Sequence, residues 1–252
     1  MSDPEIVVHQ DTTDLNVSTA ARLAAKLIEV QATGAIPRIV LTGGGSGIGL
    51  LAELNASAAK EEIDFSRIEF FWGDERFVPL EDPERNEKQA RDALLDHVAV
   101  DPSMVHAMAS SDGEFGEDVD GAAAAYAAVV GDDPRFDVVM LGMGPEGHVA
   151  SIFPESPAVF EKEATVVSVR NCPKPPPTRI SLTLPTIRTA DEVWIITGGD
   201  GKAEAVHRAL SGVDEVDLPV SGAVGRYRTL FLLDQGSASR LPAGQVGVTR
   251  TA

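Results

Sequence analysis

Apolar residues in this chain fall in short runs separated by longer stretches in which apolar positions recur every three or four residues. The runs Ile6–His9, Arg38–Leu41, Ile68–Trp72, Asp137–Leu141, Glu192–Thr197 and Thr229–Leu233 read as strands. They lack clean alternation, which suits strands buried on both faces of a parallel sheet. Between them lie helical patterns: one capped by Ser18 and running to about Thr33, then Leu50–Lys60, Asn86–His97, the alanine-rich Ala122–Val130, and Lys202–Leu210. Alternating strands and helices predict an α/β fold, a mainly parallel sheet flanked by helices. The proline-rich segment 171–178 fits neither helix nor central strand, so it is either a linker between lobes or a rigid loop beside a site. No composition break divides the chain, and residues 1–252 are read as a single domain.

Composition and charge sharpen this. A lone cysteine, Cys172, leaves no internal disulfide framework and suits a reducing compartment. The first residues carry no basic and apolar leader, and no apolar run approaches the roughly 18–20 residues that span a bilayer, so a soluble cytoplasmic protein is expected. The formal charge of −18 repels nucleic acid and anionic membranes, and neither is expected as a partner. A small phosphorylated ligand stays admissible provided the fold gathers local cations or unpaired N–H groups to receive it.

Four segments carry candidate chemistry. Thr42–Gly49 (TGGGSGIG) joins a strand to a helix, where Gly44, Gly45 and Ser46 can present N–H groups and a hydroxyl to phosphate; the alternative is a tight turn without ligand. The same letters fit the cofactor loop of short-chain dehydrogenases, but neither Tyr126 nor Tyr227 has the lysine four residues on which that chemistry needs. No GK[ST] follows, so the loop is not a P-loop. In Trp72–Pro79 (WGDERFVP), Asp74 and Glu75 can orient hydroxyls and Arg76 can stabilise an oxyanion, unless the segment is a solvated charged turn. Gly142–Pro154 (GMGPEGHVASIFP) follows the most apolar strand, and His148 there can serve as a general base with Glu146 orienting the imidazole. Arg179, in PTRISLT, and Lys202, in GGDGK, supply the cations that the net charge demands, or are ordinary surface charges. No HExxH, CxxC pair or calcium loop is present, and no metal or other cofactor is expected.

Taken together and in this order, LTGGGSG, GDERFVP with Asn86 downstream, GMGPEGHVASIFP, PTRISLT and GGDGK resemble the 6-phosphogluconolactonase family, within the sugar-phosphate isomerase-like superfamily. The chain departs from the family pattern where Gly47 and Ile48 follow Ser46, where Glu146 replaces aspartate, and where Arg85 stands in place of a serine. The resemblance implies a modified Rossmann-like fold and metal-independent hydrolysis of 6-phospho-D-glucono-1,5-lactone in the oxidative pentose phosphate pathway. It further implies His148 as base, Glu146 as its support and Arg76 as oxyanion stabiliser. The implied substrate-binding set is Gly44, Gly45, Ser46, Asp74, Asn86, Arg179 and Lys202. Glucosamine-6-phosphate deaminase or isomerase chemistry, with Asp74 or Glu75 as base, and a non-catalytic sugar-phosphate sensor are the alternatives.

Overall fold

The computed structural model describes residues 3–242. Strand β1 (Glu5–His9) leads into helix α1 (Thr12–Ala32), and β2 (Arg38–Leu41) into α2 (Gly44–Ala56). Next come β3 (Glu69–Trp72), β4 (Asp74–Arg76), α3 (Asn86–Ala93), α4 (Val119–Val130) and β5 (Val138–Gly142). The short α5 (Pro157–Phe160), β6 (Val166–Val169), β7 (Arg179–Leu182) and α6 (Leu184–Ile187) follow, then β8 (Glu192–Thr197), α7 (Ala203–Leu210) and β9 (Arg228–Asp234).

Six strands form a parallel sheet in the order β1-β9-β8-β5-β2-β3. Every residue of β8 is buried, as are Val138–Leu141 of β5, which is why these runs read as continuous apolar stretches. Helix α1 buries Leu15, Thr19, Ala20, Leu23, Ala24 and Leu27, the spacing of one helical face. Each fully buried leucine there is worth about 1.5–3 kcal/mol.

The largest boundary differences from the sequence reading lie in three helices. Helix α1 starts at Thr12, because the Asp11 side chain accepts the Asp14 N–H and caps it seven residues before the predicted Ser18 cap was needed to act. Helix α2 begins inside the glycine cluster at Gly44, not after it, and ends at Ala56, with a 3₁₀ turn over Ala58–Glu62. Helix α3 stops at Ala93, short of His97.

The sequence reading contains no second sheet, yet β4, β7 and β6 form one, antiparallel, in that order. Its strands have three or four residues, too few for alternation to register. The chain leaves the parallel sheet at Gly73, whose N–H still reaches Leu41 O (3.0 Å) while its carbonyl accepts Leu182 N–H (2.9 Å). This crossing sets Asp74 opposite Ser181 and Arg76 opposite Arg179.

Candidate active site

Successive connections from β2 run to β3 on one side of the sheet, while β5 lies on the other side of β2. Open α/β sheets bind ligands at such a switch point, beyond the strand carboxyl ends. Here Gly142 N–H donates to Thr42 Oγ1 at 3.2 Å, joining the ends of β5 and β2. Above them opens a cleft of ≈ 490 Å³ whose walls include Gly44, Gly45, Ser46, Asp74, Arg76, Asn86, His148, Arg179 and Lys202. Glu146 stands behind His148 and is not part of the wall.

The glycine turn forms the floor. Helix α2 opens at Gly44 with no side chain capping it, so its first N–H groups have no partner within the helix. A helix N-terminus with free N–H groups favours an anion.

The imidazole of His148 is held by its loop. Gly144 N–H donates to His148 O (3.0 Å) and Gly147 N–H to Gly144 O (3.0 Å), folding the chain back on itself. A Cβ on Gly144 would lie 2.0 Å from His148 Nδ1, so only glycine lets the ring sit there. The ring stacks on Phe153, centroids 4.2 Å apart. Glu146 Oε1 lies 3.2 Å from His148 Nδ1, a close approach that falls short of an aligned hydrogen bond. Burial pushes the imidazole down to about 4, against the pull of Glu146 and Asp74 and with added repulsion from Lys174. His148 is therefore neutral, and able to accept a proton, at physiological pH.

The GDERF segment divides its two carboxylates. Asp74 faces the cleft, where it accepts Ser151 Oγ–H at 2.6 Å and approaches Arg179 Nη1 at 3.7 Å. Glu75, the next residue on β4, points the other way and is 1% exposed. Its carboxylate accepts the N–H groups of Arg76 (2.7 Å), Asn86 (2.7 Å) and Glu87 (2.8 Å). The expectation that both carboxylates meet substrate is thus corrected: strand alternation turns Glu75 into an anchor for the start of α3. That anchor positions Asn86, whose amide donates to Asp74 O (2.8 Å) and packs so closely on Gly43 that a Cβ there would lie 1.9 Å from Asn86 Oδ1.

Arg179, 5% exposed, donates to Pro176 O (3.1 Å), Lys174 O (3.0 Å) and Pro175 O (3.3 Å). The proline-rich segment is accordingly a loop folded over a site, not a linker. It contributes Lys174 and Pro175 to the cleft wall, while Cys172 is buried beneath. Lys202 Nζ donates to Met143 O (2.9 Å), and burial, with Lys174 nearby, holds its amine below the usual lysine range. Arg85, in the family's serine position, is fully buried between Glu87 (2.9 Å), Glu75 (3.9 Å) and Met108 O (2.8 Å).

Two contributors escaped the sequence reading. Ser151 braces Asp74, and its motif neighbours were read for His148 alone. Lys174 pairs with Glu146, and a single lysine among prolines carries no periodic signal. Among the described residues, no group of three His, Cys, Asp or Glu side chains is placed to hold a metal ion, and no helix is long and apolar enough to cross a membrane.

Residues 10–231 match the family model described as glucosamine-6-phosphate isomerases/6-phosphogluconolactonase. The chain is 54% identical to a 6-phosphogluconolactonase of Streptomyces coelicolor, with 96% of this chain and 97% of that one aligned. It is 50% identical to a 6-phosphogluconolactonase of Mycobacterium tuberculosis, over 94% of this chain and 98% of that one. In three dimensions it is similar to a 6-phosphogluconolactonase from Trypanosoma cruzi, with a TM-score of 0.82 at 27% identity, covering 96% of this chain and 99% of that one. With the model spanning most of its length and relatives this similar along nearly all of it, the chain belongs to the glucosamine-6-phosphate isomerase/6-phosphogluconolactonase family.

Proposed function

We propose that this protein hydrolyses 6-phospho-D-glucono-1,5-lactone to 6-phosphogluconate, with His148 as general base. The observation that carries the reading is a buried, neutral imidazole in the cleft wall, backed by a carboxylate and facing a set of cations. The relatives at 50–54% identity bear the lactonase name, which favours hydrolysis over isomerase or deaminase chemistry.

A lactone is an activated ester, so a positioned water and a base suffice. With Nδ1 on the Glu146 side, Nε2 takes a proton from water as the oxygen attacks C1. The C1 carbonyl becomes an oxyanion, which the Arg76 guanidinium stabilises. Collapse of the adduct breaks the C1–O5 bond, and the imidazolium returns its proton to O5, opening the ring. The new carboxylic acid then ionises. Neutral His148 begins and ends the cycle in the same state.

The 6-phosphate is assigned to Gly44, Gly45 and Ser46 with Arg179 and Lys202. Arg76 and Arg179 stand directly opposite each other in the β4–β7 ladder. Asp74 lies near Arg179 and Glu84 near Arg76, and an anionic ligand adds to that compensation of two like charges paired in the ladder. Asp74 and Asn86 complete the wall and receive sugar hydroxyls.

The test is the rate of hydrolysis of freshly prepared 6-phosphogluconolactone against its spontaneous rate, with and without chelator. Acceleration unchanged by chelator is expected. Absence of acceleration alongside turnover of glucosamine 6-phosphate would move the assignment to the isomerase branch.

A further inference from the structure

Between the phosphate-binding wall and the base lies a chain of charges that neither role uses. Lys174 Nζ sits 3.0 Å from Glu146 Oε1 and 3.1 Å from Oε2. The same Oε1 is 3.2 Å from His148 Nδ1. One carboxylate thus serves a lysine and the catalytic imidazole at once. Lys174 belongs to the cleft wall, its side chain is 41% exposed, and its backbone is fixed because its carbonyl accepts Arg179 Nη2–H at 3.0 Å. A fixed backbone carrying a mobile ammonium on a four-carbon stem lets the charge move without the loop moving.

We propose that Lys174 is a substrate-responsive positioning residue: the substrate's 6-phosphate competes with Glu146 for its ammonium, and the released Glu146 then supports His148 alone. The idea rests on the sugar-phosphate reading given above. A phosphate near pH 7 carries close to two charges and three acceptor oxygens, against one charge on the carboxylate, so it attracts an ammonium more strongly. Lys202 and Lys174 already repel each other across the cleft, and an anion between them removes that repulsion.

The consequence falls on the base. The charged groups around the imidazole are Glu146 and Asp74, which favour its protonation, and Lys174, which opposes it; Phe153 covers one face. Moving Lys174 onto phosphate removes the opposing charge and gives Glu146 wholly to Nδ1. The imidazole becomes a stronger base when the lactone is bound, so phosphate recognition and water activation are coupled.

The experiment follows the His148 ring by ¹H–¹⁵N NMR across pH, in the wild type, Lys174→Met and Lys174→Arg, each with and without 6-phosphogluconate, the unreactive product. In the free protein Lys174→Met is expected to raise the His148 pKa. Saturating 6-phosphogluconate is expected to raise it in the wild type by about one pH unit more than in Lys174→Met, with Lys174→Arg restoring the difference. Circular dichroism and thermal melts identify variants that retain the fold. In kinetics, Lys174→Met should raise KM about tenfold while kcat stays within about threefold. An equal ligand-induced shift in wild type and Lys174→Met, with unchanged free values, overturns the coupling. If gluconate, which lacks phosphate, reproduces the full wild-type shift, the phosphate assignment for Lys174 is wrong. If 6-phosphogluconate binds neither wild type nor variant, the sugar-phosphate reading falls together with this one.

Discussion

Two strand ends in this molecule carry carboxylates and cations close together, and they put them to opposite uses. Beyond β3, Glu75 on β4 and Arg85 before α3 are sealed at 1% and 0% exposure, with every oxygen of Glu75 engaged by backbone N–H groups. Burial pushes the Glu75 carboxyl up to about 7 against the attraction of Arg85 and those donors. At the end of β5, Glu146 and His148 remain partly open, and Nδ1 of the histidine lacks an aligned partner. The first cluster is saturated and fixes the backbone; the second keeps an open Nδ1, and its imidazole faces the cleft. Saturation separates a structural charge from a chemical one more clearly than the identity of the residue does.

Mutation should break this contrast in a graded way. His148→Ala is expected to lower kcat by about 10²- to 10⁴-fold while the melting temperature barely moves, since the base is lost and the fold is not. Arg85→Ala should do the reverse, destabilising the protein by about 3–5 kcal/mol in urea or thermal unfolding, because buried Glu75 loses its counter-charge and Glu87 keeps only Arg91. Arg179→Ala should raise KM by about 10- to 100-fold, as the ligand loses a charged partner and the proline-rich loop loses its tether. Glu146→Gln is expected to reduce kcat by about tenfold, the value of one charge-assisted contact, and to lower KM because Lys174 is then free for the phosphate. If Glu75→Gln and Glu146→Gln turned out indistinguishable in both stability and kcat, the contrast drawn here would fail.

Much of this was legible in the chain. Strands β2 and β8 appear at their sequence-read boundaries because continuous apolar runs announce a doubly covered sheet. The glycine turn and the GHVAS loop stand out because glycine after a buried strand points to close backbone approach. What stayed hidden depends on long-range pairing. The β4–β7–β6 sheet brings residue 76 to residue 179, and strands of three or four residues leave no period to detect. That sheet decides that Asp74 faces the cleft and Glu75 does not, a distinction two adjacent letters cannot convey. Ser18 was a chemically sound cap, but Asp11 captured the helix first. Lys174 lines the cleft because Arg179 holds the carbonyls of its loop, a long-range contact that the local letters do not signal.

In the proposed reaction an imidazole kept neutral by burial takes a proton from water. The pH dependence of kcat/KM for the lactone, corrected for spontaneous hydrolysis, tests this most directly. A histidine in water is half protonated near 6.5, whereas His148 is pushed down to about 4. The base-competent form should therefore persist as the pH falls through 6.5, with activity half lost only near pH 4 and the limb absent from the residual rate of His148→Ala. An acid limb centred near 6.5, or one unchanged in His148→Ala, would contradict it.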